Sequence, residues 1–173
     1  MKRIIPAILC LVALAAGFFL GRYTRQSPLE EVLEAYTGII QGEMPEDVRL
    51  TIYVMDLQTF YSIPTSRERL LTRPHEKITV GPEELAPYWQ SFRTITPSAL
   101  QLASEKEDFR EHGLGYVLEV GDGQGSYERI LEVYQVGNNA TVNRLEVEGE
   151  EFLIDLVLPF FTEKARYLRC LDG

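Results

Sequence analysis

The stretch of residues 116–154 constrains the fold most strongly, because segments with strand character alternate in it with short turns. The segments YVLEV, YERILEVYQV, TVNRLEV and EEFLI are rich in β-branched and aromatic residues, and GDGQG, GNNA and EG separate them. Short connections that carry Gly, Asn or Asp join neighbouring antiparallel strands. The sequence therefore predicts a meander of four antiparallel strands in this half of the chain.

The first half of the chain has a helix followed by two strands. Ser27, Pro28 and Glu30 form a capping box with proline at the first helical position, and apolar residues then recur at helical spacing. We expect an amphipathic helix over residues 28–41. From Val48 the apolar residues alternate with polar ones, which predicts a strand, and the KITV segment (77–80) predicts a second one.

Three further segments are predicted less sharply by their patterns. Pro82 can open a helix, and we expect that helix to be short and either kinked at Pro87 or begun near it. The segment SEKEDFREHG (104–113) fits a short helix or a solvated connector equally well. The tail over residues 155–168 predicts a last helix that Asp155 would cap.

These elements predict an α+β fold, with a mostly antiparallel sheet of five or six strands packed by two to four helices. Residues 26–173 have the size of one domain, and residues 1–25 form a separate N-terminal segment. Cys170 is the only cysteine of the predicted domain, which excludes a disulfide within it. Its thiol is either free or paired between chains.

Residues 4–20 form a run without a charged side chain, and Lys2 and Arg3 precede it. As a helix the run would reach about 25 Å, slightly less than the ~30 Å hydrocarbon core of a bilayer, and flanking basic side chains can extend it. We therefore predict an N-terminal membrane helix that acts as a signal-anchor. The alternative is a cleaved export signal, because Ala13-Leu14-Ala15 offers an A-x-A site. Lipidation of Cys10 is disfavoured, since Leu9 precedes it where a small residue is required.

Charge is distributed unevenly along the chain. Four of the 17 basic residues and none of the 26 acidic residues lie before Gln26, so residues 26–173 carry a net charge of −13. Nucleic-acid binding requires a basic surface, so nucleic acid is not expected as a partner. The basic residues before the apolar run favour an internal N-terminus, with the domain on the extracytoplasmic side of the cell membrane.

The chain resembles the small membrane-tethered extracytoplasmic domains of unknown function from Gram-positive bacteria. The resemblance rests on the apolar N-terminal run, on the KITV strand followed by PEELAPYWQSF, and on LEVEGEEFLID before a helix. It implies an extracytoplasmic, non-enzymatic role, and it supplies no catalytic residues.

No motif in the sequence indicates a catalytic, cofactor or metal site. GDGQG (121–125) is a hairpin turn in our interpretation rather than a phosphate loop, because a strand follows it where such a loop needs a helix. His75 and His112 lack a second ligand at helical spacing, and no serine lies in a GxSxG or SxxK motif. Glu146 and Glu148 could together attract a divalent cation, although a charged strand edge explains them better.

Two groups of residues are candidate binding sites. Four basic residues cluster in SRERLLTRPHEK, in an otherwise acidic domain, and could contact an acidic protein partner, a cell-wall polyanion or lipid headgroups near the anchor; they are Arg67, Arg69, Arg73 and Lys77. Tyr88 and Trp89 are a candidate aromatic surface, since both residue types suit interfaces. Solvated arginines and ordinary core packing are the alternatives.

Two functions follow from these observations. The first is a membrane-anchored extracytoplasmic binding or regulatory module without catalytic activity. The alternative is an exported, hydrolase-like enzyme whose site is assembled from residues far apart in the sequence.

Overall fold

The computed structural model describes residues 27–55, 60–61, 72, 75–104, 110–111 and 113–160, and it confirms the α+β class. A six-stranded antiparallel sheet has the order β3-β1-β5-β6-β7-β8, and a two-stranded ribbon pairs β2 with β4. The strands are β1 (Val48–Met55), β2 (Phe60–Tyr61), β3 (His75–Val80), β4 (Arg110–Glu111), β5 (Leu114–Gly121), β6 (Tyr127–Val136), β7 (Asn139–Val142) and β8 (Leu145–Val147).

The helices that the structure describes are short and lie before β1, between β3 and β4, and after β8 in the sequence. The α-helices are α1 (Pro28–Val32), α2 (Glu34–Ile40), α3 (Pro82–Leu85) and α4 (Glu151–Asp155). The 3₁₀ helices span Ala86–Thr94, Pro97–Ala99 and Leu158–Phe160. None of the helices in the described part of the chain is long and apolar enough to cross a membrane, and the predicted anchor at residues 4–20 lies outside that part.

The core lies between the helices and one face of the sheet. Alternate residues of β1 and β5 enter it, such as Leu50, Ile52 and Leu118, and all three are fully buried. The helices contribute buried side chains from the opposite side, including Tyr36 and Phe92. This arrangement follows from the period of two in the strands and the longer period in the helices.

The predicted first helix is present but divided. Ser27 and Glu30 form the expected capping box, in which each side chain bonds the other residue's backbone N–H. At Leu33 the backbone leaves the helical region, with φ −102° and ψ 4°, and this residue separates α1 from α2. The predicted helix after Gly81 likewise changes type, from α-helix to 3₁₀ helix, at Ala86, next to Pro87.

Arg93 closes the C-terminal end of α2. Its guanidinium donates from Nε to the Ile40 carbonyl (2.9 Å) and from one terminal nitrogen to the Gln41 (3.2 Å) and Gly42 (3.0 Å) carbonyls. These carbonyls have no partner within the helix, and the helix dipole favours a positive charge beside them. Arg93 therefore ties the 3₁₀ helix Ala86–Thr94 to the first helical pair.

Replacing Arg93 with alanine should lower the free energy of unfolding by about 1–2 kcal/mol, because three charge-assisted hydrogen bonds are lost from an exposed site. Arg93→Lys should fall between alanine and wild type, since lysine keeps the charge but not the planar fork. Urea unfolding of the three proteins tests this order. Equal stability of the alanine variant and wild type would contradict the role of Arg93.

Two predictions for residues 139–155 are wrong. TVNRLEV is two strands, β7 and β8, joined by Asn143 and Arg144, whose φ values of 45° and 74° form a type I′ turn. EEFLI is a helix, α4, and not a strand. The position beside β8 is already occupied, because the Ala103 N–H donates to the Glu146 carbonyl and the Glu148 N–H donates to the Gln101 carbonyl.

The predicted tail helix and the 104–113 connector are described only in part. Asp155 ends α4 instead of capping a helix, a 3₁₀ turn follows at Leu158–Phe160, and residues 161–168 lie outside the described part. Within 104–113, the described pair Arg110–Glu111 is strand β4.

Candidate functional site

A cleft with a volume of about 210 Å³ lies between the β6–β7 turn and the start of α4. We call it the acidic cleft; it is lined by Gln135, Asn138, Asn139, Ala140, Gly149, Glu150, Glu151, Ile154 and Asp155. Gly137 (φ 58°) reverses the chain at one side, and Gly149 (φ 33°) reverses it before α4 at the other. Two turns at which the backbone adopts positive φ therefore shape the site.

The charge of the acidic cleft comes from α4 and the residue before it. Glu151 and Asp155 are exposed and Glu150 is half-buried, and the lining contains no basic side chain. Asn139 is oriented by a hydrogen bond from its Nδ2 to Glu146 Oε1 (3.3 Å). The cleft thus offers carboxylate and amide groups, which suit a ligand that carries a positive charge and hydrogen-bond donors.

The acidic cleft is not arranged as a metal centre. Across the described residues, no three His, Cys, Asp or Glu side chains lie close enough together to hold a metal ion.

A second polar arrangement runs across the face of the sheet that points away from the core. We call it the charge ladder; its members are Asp47, Arg49, Glu119, Tyr127, Arg129 and Glu132. Glu119 is paired in register with Arg49 on one side and with Arg129 on the other. Its carboxylate accepts from Arg49 Nε (2.8 Å) and lies 3.9 Å from Arg129 Nε.

The side chains at both ends of the charge ladder also have interaction partners. Arg129 contacts Glu132 at 3.4 Å, and the Arg49 guanidinium lies 3.6 Å from the centre of the Tyr127 ring. The Tyr127 hydroxyl donates to Asp47 Oδ1 (2.7 Å), and this hydrogen bond is the main cause that raises the pKa of Tyr127. Because its charged groups are paired with one another, the ladder stabilises three strands and is not an open site.

The predicted basic patch is described at one residue. Lys77 is exposed on β3, which is an edge strand of the six-stranded sheet. Arg67, Arg69 and Arg73 lie outside the described residues. The basic patch therefore stays a prediction.

The predicted aromatic pair belongs largely to the core. Trp89 is only 3% exposed, and Tyr88 is half-buried with its ring edge-on to Phe160, 4.8 Å between ring centres. In this conformation the Trp89 ring is buried and is not available to bind another molecule. Its buried Nε1 makes no hydrogen bond. Packing explains both rings in the conformation observed.

His75, Glu146 and Glu148 each make contacts within the fold. His75 packs edge-on against Tyr53, 5.7 Å between ring centres, and His112 lies outside the described part. Glu146 accepts from Asn139, and Glu148 Oε1 accepts from the Ser104 N–H (3.1 Å). The two carboxylates thus bond different partners within the fold.

The GDGQG segment is the β5–β6 turn, as predicted. Asp122 Oδ1 accepts from the Gln124 N–H (2.7 Å) and the Ser126 N–H (3.1 Å), while Gly123 and Gly125 adopt positive φ. The hydrogen bond from Gln124 is the main cause that lowers the pKa of Asp122 below its ordinary value of 3.8.

The Asp122 carboxyl should therefore titrate at lower pH in the folded protein than in a short GDGQGS peptide. A lowered pKa means that the carboxylate stabilises the folded state above its unfolded pKa, and that this contribution is lost as the pH falls through the folded pKa. Side-chain NMR titration of Asp122 in both molecules measures the difference. Identical titration midpoints would show that the turn does not hold the carboxylate.

Sequence reasoning missed the acidic cleft because the turn GNNA and the segment EEFLID meet only in the folded chain. The one sign of the cleft in the sequence was that GNNA, which carries two asparagine amides, is followed by the acidic segment EGEEFLID. The charge ladder was missed because the register of β1, β5 and β6, which places opposite charges side by side, was not known.

No protein-family model, curated protein or solved structure matches this chain.

Proposed function

We propose that the chain is a membrane-anchored extracytoplasmic module that binds a protein partner through the acidic cleft and has no catalytic activity of its own. The observation that carries the proposal is the cleft itself, an open concavity whose lining combines three carboxylates with amide groups. Groups of this kind hold a ligand through charge and hydrogen bonds.

The class of partner follows from charge. The predicted domain is strongly acidic, and three of its carboxylates lie together in the cleft, those of Glu150, Glu151 and Asp155. Such a site attracts a lysine or arginine side chain and repels a polyanion. The partner is therefore an extracytoplasmic protein that presents a basic segment. A cell-wall polyanion would bind only on the surface near Lys77 and not in the acidic cleft.

The location rests on the apolar run at residues 4–20. Few residues separate this run from α1, which begins at Pro28, so a retained anchor would hold the domain close to the bilayer. Membrane fractionation with N-terminal peptide mapping tests this part of the proposal. A mature N-terminus at Ala16 would show that the run is a cleaved signal.

Site-specific photo-crosslinking in cells tests the binding function. A photoreactive residue at Glu151 of the full-length chain should give a discrete adduct with one protein. The same residue at Gln124, which is exposed at the tip of the β5–β6 turn, should not. Replacing Glu150 and Asp155 with lysine should abolish the Glu151 adduct. Equal adducts from both positions, or none from Glu151, would contradict binding through the cleft.

A further inference from the structure

The side chain of Asn143 connects the first helical turn of the domain to the sheet. Its Nδ2 donates to the Val32 carbonyl at the end of α1 (2.7 Å), and its Oδ1 accepts from the Glu132 N–H of β6 (2.7 Å). The same Nδ2 lies 3.4 Å from the Ile130 carbonyl. One amide thus joins two elements that are far apart in sequence.

The backbone around Asn143 fixes this amide in position. Asn143 has φ 45°, a conformation that asparagine adopts more readily than most residues, and its N–H donates to the Glu132 carbonyl (2.8 Å). Ile130 lies in the β-bulge of β6, where the register with β5 shifts between Leu118 and Glu119. The bulge and the turn together bring the amide to the end of α1.

The two halves of the first helix are held by different contacts. The second half, α2, is fastened to the 3₁₀ helix Ala86–Thr94 by Arg93 and by the Tyr36 hydroxyl, which donates to the Phe92 carbonyl. The first half, α1, contributes one buried side chain, Leu29, and is joined to the sheet by the Asn143 amide. The two halves meet at the non-helical residue Leu33.

We propose that Asn143 is a latch and Leu33 a hinge, so that breaking the Asn143–Val32 hydrogen bond releases residues 27–32 while α2 and the sheet stay folded. Released in this way, the first turn could change its direction relative to the sheet. If the chain is anchored as proposed above, this turn is the link between anchor and domain, but the release itself does not depend on the anchor.

Hydrogen–deuterium exchange of the full-length chain in detergent micelles tests the latch. Asn143→Asp keeps the size and the Oδ1 acceptor but replaces the Nδ2 donor, so peptides from residues 27–36 should exchange about tenfold faster, the effect of losing one part-buried hydrogen bond. Peptides from β5 should change less than about twofold, since their bonds do not involve the amide. Gln124→Glu, the same amide-to-carboxylate change at an exposed residue of the β5–β6 turn, should leave both peptides as in wild type.

A second variant guards against a general effect of the new charge. Asn143→Gly keeps the positive φ and removes the amide without adding a carboxylate, and it should give the same selective acceleration in residues 27–36. Equal acceleration of both sets of peptides would show that Asn143 only stabilises the whole fold. Unchanged exchange in residues 27–36 would show that the amide does not hold α1. Either result overturns the latch.

Discussion

Gly115→Ala is expected to lower the free energy of unfolding by about 2–3 kcal/mol, more than a single added methyl group usually costs on a sheet. Gly115 is paired in register with Tyr134, and a Cβ at position 115 would overlap the Cδ1 and Cε1 atoms of the Tyr134 ring. Tyr134 is buried, so its ring has little room to move aside. The sheet depends here on the absence of a side chain.

A matched control is available in α2. A Cβ at Gly38 meets no atom within 4 Å, so Gly38→Ala should raise stability by about 0.5–1 kcal/mol, the ordinary preference of a helix for alanine. Guanidinium unfolding of both variants compares the two signs directly. Loss of stability in both, or in neither, would contradict the proposed overlap with Tyr134.

The second large effect concerns two buried tyrosines for which the same change should have opposite results. Tyr36→Phe should cost about 2 kcal/mol, because the buried Phe92 carbonyl loses the hydroxyl that donates to it. Tyr116→Phe should instead stabilise the protein by about 1 kcal/mol, since the Tyr116 hydroxyl is buried and makes no hydrogen bond.

Thermal and urea unfolding of the two phenylalanine variants test this difference in sign. Burial raises the pKa of both tyrosines, which keeps both hydroxyls protonated at neutral pH, so ionisation does not confuse the comparison. A destabilised Tyr116→Phe would mean that the hydroxyl has a partner in solution. An unchanged Tyr36→Phe would mean that water can replace the bond to Phe92.

The elements predicted correctly are those with a long pattern or a cap. The capping box at Ser27 and Glu30 and the alternation in β1, β5 and β6 locate the first helix and the central strands. The segment EEFLI has only a short apolar run, which fits a helix and a strand equally. Its state is decided by residues 101–103, which pair with β8 and leave no place there for another strand.

The candidate site was less predictable than the fold because it depends on meetings between distant segments. The amides of the GNNA turn and the carboxylates of α4 form one cleft only after β7 and β8 reverse the chain at Asn143 and Arg144. Hairpin turns with positive φ usually contain Asn, Asp or Gly, and Arg144 (φ 74°) is none of these. The pattern of TVNRLEV therefore predicted a single strand. Once that turn is missed, the positions of Glu150 and Asp155 cannot be derived.

The pairing of residues 101–103 with β8 also affects how copies of this protein behave at high concentration. An uncovered strand at the rim of a sheet can recruit a strand from another molecule, which is a route to aggregation. Here the edge strand β8 is covered by backbone hydrogen bonds from the chain itself. On the opposite edge, β3 carries the charged side chain of Lys77. Loss of this pairing should therefore lower the solubility of the protein at high concentration.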